Sequence, residues 1–237
     1  MTNIKILGIS GSPIKDGNCD RLIKEALRMA KEYEGVGVEF VTMADKNISA
    51  CQHCQWCIEN RAPCKIEDDL PEILGKMIEA DGLLLGGPIW KWTLSAPLIN
   101  LYSRLRYTDF FTPDLRNKVV GAFVCSWFGL GADRGLDVIS TIVKPSMQIP
   151  VAQASVIVSE VAYGKRAAYM KGGGLDDAVG MQRVDFAVSR VVEVTRMIKY
   201  AKDAGEGLPP EQQRMATGAR YKVRKKKAFV DGVWRDQ

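Results

Sequence analysis

Four cysteines lie within fourteen residues of this 237-residue chain, in the stretch ACQHCQWCIENRAPCKIEDD. They are Cys51, Cys54, Cys57 and Cys64, a C-x2-C-x2-C-x6-C pattern. Two-residue gaps let successive thiolates curl around one centre, and the longer gap lets the fourth close it from the other side. Thiolates are soft ligands that select an iron–sulfur cluster or a tetrahedral metal such as zinc. The pattern therefore predicts a metal centre in this segment.

The spacing favours one cluster over the alternatives, which are zinc and free or redox-active thiols. Zinc sites of four cysteines generally pair two separate C-x2-C units. A bacterial ferredoxin run ends with a three-residue gap, and its last cysteine serves a second cluster. Here the last gap is six residues, and the remaining cysteines, Cys19 and Cys125, fall in separate elements. His53, the one histidine, is expected beside the centre or facing solvent, because four thiolates already fill it.

A second candidate site follows the first apolar run. IKILGIS (Ile4–Ser10) reads as a buried parallel strand. GSPIKDGN then makes a turn, and an amphipathic helix pattern opens at Cys19. Small residues, hydroxyls and backbone N–H groups at a helix N-terminus suit a phosphate, although they could form only a turn and a helix cap. The polar and small residues concerned are Ser10, Gly11, Ser12 and Asn18.

Strands and helices alternate along the rest of the chain. Further strands are predicted at Val36–Met43, Gly82–Gly87, Val119–Ser126 and Val151–Glu160. Further helices are predicted at about Leu70–Ala80, Leu98–Leu105, Leu136–Met147 and Met181–Ala204. The segments PIWKWTLSAP and WFGLGADRG are expected to be loops.

This alternation predicts an α/β protein with a doubly wound, five-stranded parallel sheet covered on both faces. Sites in such sheets lie at the carboxyl ends of the strands, near the switch in strand order. The loops after the first, third and fourth strands all lie at that edge, and they are the richest in Gly, Ser, Pro and Trp. Their position and composition indicate a binding site at this edge.

Composition is that of a globular protein, with 46% hydrophobic residues. No apolar stretch approaches the roughly 18 residues of a membrane span. The N-terminus enters a strand at once and lacks the features of a secretion signal. We therefore expect a cytoplasmic protein whose six cysteines are not disulfide staples, because cytosolic thiols are kept reduced.

The net charge of +5 comes from the last 27 residues. Residues 211–237 hold eight Lys or Arg against three acidic residues, so the body is neutral by difference. The run KVRKKK is expected to belong to a solvated arm or subunit contact, and nucleic-acid binding is the less favoured alternative. We predict one domain at 1–205, with a cysteine-rich insertion at 48–69, and a basic C-terminal extension at 206–237.

Two motifs resemble a known family. ISGSPIKDGNCDRLI is similar to the phosphate loop of flavodoxin-like NAD(P)H-dependent FMN reductases, and GGPIWKWTLSAPLINLYSRL resembles the segment that follows their third strand. With four cysteines between these motifs, the chain most resembles the iron–sulfur flavoproteins, over about residues 3–205. The basic tail lies outside the resemblance.

The resemblance implies FMN held by three loops. The residues it assigns to FMN are Ser10, Gly11, Ser12, Asn18 and Cys19 at the phosphate, Pro88, Ile89, Trp90, Lys91 and Trp92 along the isoalloxazine, and Ser126, Trp127, Gly129 and Gly131 in the third loop. Cys19 stands where the family commonly has Ser or Thr, so we expect backbone N–H groups to act there with Cys19 as a small filler. The third loop matches the family only loosely. Trp90 and Trp92 could also form an interface patch.

The resemblance also implies one 4Fe–4S cluster on Cys51, Cys54, Cys57 and Cys64. The implied function is electron transfer from a one-electron donor such as a ferredoxin to FMN, and on to oxygen, peroxide or a quinone-like acceptor. It further implies a homodimer or homotetramer with the cluster of one subunit near the flavin of a neighbour. The rivals are an NAD(P)H-dependent FMN or quinone reductase with incidental cysteines, and a redox-responsive nucleic-acid-binding protein.

Overall fold

The computed structural model describes residues 2–158, 173–209, 212–213, 227–230 and 233–236. Its main sheet has five parallel strands in the order β2-β1-β3-β5-β6, and a short sixth strand, β4, pairs antiparallel with β3. The strands are β1 (Ile4–Ser10), β2 (Val36–Thr42), β3 (Gly82–Trp90), β4 (Thr93–Leu94), β5 (Val119–Ser126) and β6 (Ile149–Ile157). The predicted doubly wound fold is confirmed, because the strand order reverses between β1 and β3.

Helices cover both faces of this sheet. They are α1 (Asn18–Lys31), α2 (Trp56–Glu59), α3 (Leu70–Glu79), α4 (Ala96–Ser103), α5 (Arg106–Phe111), α6 (Ala132–Ile142) and α7 (Ala178–Asp203). Side chains of α3, α4 and α6 pack in one apolar cluster, and those of α1 and α7 pack in another. In β1, Leu7 and Ile9 face the first cluster while Ile4 and Ile6 face the second, which is the alternation of a strand buried on both sides.

The segment after β3 differs from the predicted loop. β3 continues to Trp90, and a two-residue turn returns the chain as β4, with Ile89 paired to Leu94. The turn residues, Lys91 and Trp92, have φ values of +50° and +68°, which suits a hairpin turn with left-handed backbone at both positions. The hairpin was missed because neither turn residue is the Gly or Asn that usually marks it.

Several helix and strand bounds also differ from prediction. Helix α6 begins at Ala132 rather than Leu136, because Gly135 packs against Ile89 inside the helix and does not break it. It ends before Pro145, since the residue before a proline avoids helical backbone. Strand β6 begins at Ile149 and includes Pro150 at a register shift, which an edge strand tolerates.

The C-terminal extension contributes two described strands. β7 (Lys227–Val230) and β8 (Val233–Asp236) pair antiparallel. Most of the predicted basic run, and most of the loop at 163–174, lie outside the described residues. Among the described residues, no helix is both long and apolar enough to cross a membrane.

Two glycine substitutions should have opposite effects on the stability of the protein. Gly75 lies inside α3 with open space around it, so Gly75→Ala should raise the free energy of unfolding by about 0.5–1 kcal/mol. Gly131 has φ +73°, and a Cβ there would lie 2.8 Å from the Trp92 backbone. Gly131→Ala should therefore lower that free energy by about 1–3 kcal/mol. Urea unfolding measures both, and shifts of the same sign would contradict this account.

Candidate functional site

The three loops of the predicted site meet at the carboxyl edge of the sheet. The first loop follows β1, the second is the β3–β4 hairpin, and the third follows β5. The N–H of Gly11, just after β1, donates to the Gly86 carbonyl of β3 at 2.7 Å. The Ser95 hydroxyl, which precedes α4, donates to the Gly11 carbonyl at 2.9 Å. A Cβ at Gly11 would lie 2.9 Å from the Leu98 Cβ, so glycine is required for α4 to pack this closely. The first loop is thereby joined to β3 and α4.

The polar side chains of the first loop are engaged within the chain. The Ser10 hydroxyl donates to the Cys19 sulfur at 3.3 Å. The Ser12 hydroxyl accepts from the Ile14 N–H at 3.0 Å. The Asn18 carbonyl oxygen accepts from Arg21 at 2.8 Å and from the Gly174 N–H at 3.3 Å. These contacts shape the loop, so backbone donors would carry more of any phosphate binding than the side chains.

Backbone donors at the start of α1 suit that role. The first hydrogen bond of the helix runs from the Arg21 N–H to the Gly17 carbonyl at 3.0 Å. The N–H groups of Cys19 and Asp20 come before it, and an α-helix leaves such first-turn groups without intrahelical acceptors. The Asp20 carboxylate is fully buried and accepts from the Asp16 N–H at 2.8 Å and the Thr42 hydroxyl at 3.1 Å. Asp20 thereby ties the loop to β2.

Cys19 and Cys125 form a buried pair of thiols below this loop. Both side chains are at most 3% exposed. Hydrogen bonding to Cys19, reinforced by burial, raises the pKa of Cys125 well above its usual value. Cys19 is therefore a buried side chain of α1 next to Cys125 of β5, and the Cys125 thiol stays protonated.

The second and third loops also contact each other. Gly131 lies against the backbone of Trp92 at the tip of the β3–β4 hairpin. The rings of Trp127 and Phe128 are 4.5 Å apart. Large aromatic side chains are exposed at this edge, with Trp90 at 46% and Trp92 at 57%. The predicted loop residues Pro88, Ile89, Trp90, Lys91, Trp92, Ser126, Trp127 and Gly129 thus share one edge of the sheet with the first loop.

An FMN molecule fits the chemistry of this edge. The Ser126 hydroxyl is buried and has no hydrogen-bond partner among the described residues. A buried hydroxyl without a partner is costly, and a flavin edge carries the acceptors and donors that would satisfy it. Exposed aromatic faces beside it suit a flat, apolar ring system.

The cysteine loop, residues 48–69, is anchored at its base and along α4. The Asn47 N–H donates to an Asp69 carboxylate oxygen at 2.7 Å, and the Asp69 N–H donates back to the Asn47 carbonyl at 3.1 Å. The Cys51 N–H donates to the Ser103 hydroxyl at 3.3 Å. The Asn100 amide donates to the Ile48 carbonyl at 3.3 Å. The loop is therefore docked on the C-terminal half of α4.

Within the loop, three of the four thiols influence one another. Burial raises the pKa of Cys57, the nearby Arg106 lowers it, and the charges of Cys64 and Cys51 raise it. Cys54 is the exposed member. No three His, Cys, Asp or Glu side chains of the described residues form a group that could hold a metal ion. The structure brings the four cysteines into one loop without closing them around a centre.

The donor chemistry of the loop nevertheless fits an iron–sulfur cluster. His53, Gln55 and Arg61 adopt left-handed backbone, with φ values of +53°, +62° and +48°. This conformation is costly for residues other than glycine and concentrates at ligand-binding segments. The His53 N–H already donates to the Cys51 sulfur at 3.4 Å. The His53 ring lies 2.9 Å from Gln55 and 3.5 Å from Arg106, which places it beside the thiols as a hydrogen-bonding neighbour.

Three residues of these sites were missed by sequence reasoning. Asp20 could have been found as an acidic residue in the first turn of a helix that follows a polar loop. Arg104 and Asp68 form an ion pair whose side chains are both fully buried. Nothing in the local sequence signals that pair, because its members lie 36 residues apart.

Comparison with known proteins gives consistent matches. The family model described as NADPH-dependent FMN reductase matches residues 4–163. An iron–sulfur flavoprotein of Methanocaldococcus jannaschii is 35% identical over 206 residues, which cover 83% of this chain and all of the relative. An iron–sulfur flavoprotein of Methanosarcina thermophila is 30% identical over 203 residues, covering 84% of this chain and all of the relative.

A solved structure agrees on the fold. RosB, crystallised with 8-demethyl-8-formylriboflavin-5'-phosphate, superposes with a TM-score of 0.64 at 20% identity. The match covers 96% of this chain and 98% of RosB. The family model and the two sequence relatives show that the chain belongs to the NADPH-dependent FMN reductase family and, within it, to the iron–sulfur flavoproteins, which makes it an FMN-dependent oxidoreductase.

Proposed function

We propose that the protein holds FMN and one 4Fe–4S cluster, and passes electrons from a one-electron donor such as a ferredoxin to a small-molecule acceptor. The acceptor would be oxygen, peroxide or a quinone-like compound. When bound, the cluster exchanges single electrons, and FMN accepts or releases one or two. The cluster ligands would be Cys51, Cys54, Cys57 and Cys64.

One observation carries this proposal: helix α4 joins the flavin edge to the cysteine loop. Ser95, at its N-terminal end, donates a hydrogen bond to Gly11 of the first loop. Ser103, at its C-terminal end, accepts a hydrogen bond from the Cys51 N–H. The helix has eight residues, so it is about 12 Å long. Electron transfer weakens steeply with distance, and two centres separated by one short helix suit a relay.

Charges around the cysteine loop support the same assignment. Four thiolates bring negative charge, and the guanidinium groups of Arg104 and Arg106 both act on them. Such cations offset the charge of a thiolate-bound cluster and help to set its potential. The exposure of Cys54 leaves one side of the loop open to an electron-donor protein.

The exposed aromatics support a homodimer or homotetramer with the flavin near a subunit contact. Trp90, Trp92 and Trp127 are each more than a third exposed at the same edge. Contiguous exposed apolar groups of this kind mark binding or interaction sites. In such an assembly, the cluster of one subunit would lie near the flavin of a neighbour.

The second candidate is an NAD(P)H-dependent FMN or quinone reductase. The family match over residues 4–163 favours it. The absence of a metal-binding group among the described side chains is compatible with it. In that case the cysteines would be incidental or structural.

Removing one cysteine ligand should abolish the cluster and spare FMN. The anaerobically purified protein should hold about four iron and four sulfide per chain. Cys64→Ala should lose most of the iron and keep its FMN, because the flavin loops lie at the other end of α4. Cys125→Ala, which alters a buried cysteine outside the loop, is the matched control and should keep its iron. Iron that survives Cys64→Ala, or that is lost equally from the control, would contradict the ligand assignment.

The choice of reductant separates the two candidate functions. Under anaerobic conditions, reduced ferredoxin should bleach the FMN absorbance rapidly in the wild type and slowly in Cys64→Ala, because the entry site for single electrons is lost. Stopped-flow absorbance measures both rates. Rapid bleaching by NADPH with no response to reduced ferredoxin would favour the reductase instead.

The buried hydroxyl of Ser126 should contribute to FMN affinity and not to folding. Ser126→Ala should weaken FMN binding by about 3- to 10-fold, the value of one hydrogen bond. It should leave the stability of the FMN-free protein unchanged or slightly raised, since an unpartnered buried group is removed. Flavin fluorescence titration and urea unfolding measure the two effects.

The matched control for Ser126 is Ser146→Ala. Ser146 is also buried, but its hydroxyl donates to Asp109 at 2.5 Å. Its removal should lower stability and leave FMN affinity unchanged. Equal FMN affinities in Ser126→Ala and the wild type would remove Ser126 from the site.

A further inference from the structure

The Arg104 guanidinium joins the two ends of the cysteine loop. It donates to the Ser49 carbonyl at 3.3 Å and to the Ile66 carbonyl at 3.1 Å. It also pairs with Asp68, and both charged side chains are fully buried. A buried charge is tolerated only where its partners are in place. The two ends of the loop are therefore held by one side chain that follows α4.

Asp68 completes this clamp from the loop side. Its carboxylate accepts from the Ser49 N–H at 3.0 Å and from the Leu70 N–H at 3.1 Å. Burial raises the pKa of Asp68, but the hydrogen bonds from Arg104 and the two N–H groups outweigh it and hold the pKa below its usual value. The carboxylate therefore stays ionised opposite Arg104.

Arg104 also acts on one of the cysteines. Burial lowers its pKa, but the hydrogen bond to Asp68 and the proximity of Cys64 outweigh burial, so the pKa is raised. The Arg104 Nε–H is buried and has no hydrogen-bond partner among the described residues. The guanidinium thus retains a spare donor close to a predicted ligand.

We propose that Arg104 is a positioning residue of the metal centre, which clamps Ser49 to Ile66 and offers to a cluster sulfur its buried Nε–H, a donor with no partner among the described residues. This inference rests on the proposed function, because it requires a cluster on the four cysteines. Hydrogen bonds to cluster sulfurs and nearby positive charge favour the more negative, reduced form. Arg104 therefore governs both how well the loop assembles the cluster and how easily that cluster is reduced.

Arg104→Lys tests both effects. Lysine keeps the positive charge but replaces the planar guanidinium with a compact ammonium group. This group cannot form hydrogen bonds with Ser49, Ile66 and Asp68 at the same time. The variant should bind iron about tenfold more weakly or worse, as for other residues that support metal ligands. Its remaining cluster should have a lower midpoint potential, while its FMN content should match the wild type. Iron and FMN per chain and EPR-monitored redox titration give these three values for the anaerobically purified protein.

The matched control is Arg190→Lys, which alters an exposed arginine paired with Glu193 on α7. It should leave the iron content, the FMN content and the midpoint potential of the cluster unchanged. Asp68→Asn separates the two roles of Arg104, because it weakens the clamp and spares the Nε–H donor. We expect it to lower iron content with a smaller shift in the potential of the remaining cluster.

Each outcome decides for or against the proposal. Wild-type iron content and potential in Arg104→Lys would overturn it, and so would loss of FMN together with iron, which indicates general misfolding. An iron-free wild type would overturn the proposed function as well as the hydrogen bond to the cluster. Hydrogen exchange in the metal-free protein would then test the clamp alone. Faster exchange over residues 48–69 in Arg104→Lys would support the clamp, and unchanged exchange would reject it.

Discussion

The parallel pairing of β1 with β3 is the constraint on which the site depends. Strand order reverses at this pair, with β2 on one side and β5 on the other. The connections leave for opposite faces of the sheet there, which opens a crevice at the carboxyl ends. The hydrogen bond from Gly11 to Gly86 brings the first loop against the end of β3. The contact between Gly131 and Trp92 then adds the third loop to the same edge.

Helix α4 extends this arrangement from the flavin edge to the cysteines. Its apolar side, with Leu98 and Leu101 fully buried, packs on the sheet. Its polar groups bind the first loop at one end and the cysteine loop at the other. These two contacts hold the two loops in a fixed relation. The proposed cluster would therefore share one domain with FMN.

Much of the fold could be predicted because it depends on local patterns. The apolar runs of β1 and β5 were predicted with their observed bounds, and the alternation of strands and helices gave the doubly wound sheet. The β3–β4 hairpin and the start of α6 could not be predicted in this way. They depend on tertiary contacts, such as that between Gly131 and the Trp92 backbone, which override the usual preferences of turn and helix residues.

Only part of the site could be predicted, because some of its residues form local patterns and others depend on tertiary contacts. Cysteine spacing and the small residues after β1 are visible in the sequence, and the structure places them in one loop and at one sheet edge. The side chains that hold them, Arg104 and Asp68, are brought together only by folding. Whether the four thiols close around iron depends on the metal itself, whose binding supplies part of the folding free energy of such a loop.

An EPR spectrum of the anaerobically purified, dithionite-reduced protein tests the central claim most directly. We expect a low-temperature signal of a reduced 4Fe–4S cluster that integrates to about one spin per chain, beside a separate signal or absorbance from FMN. A spectrum with the flavin contribution alone, from protein that contains FMN and no iron, would contradict the account.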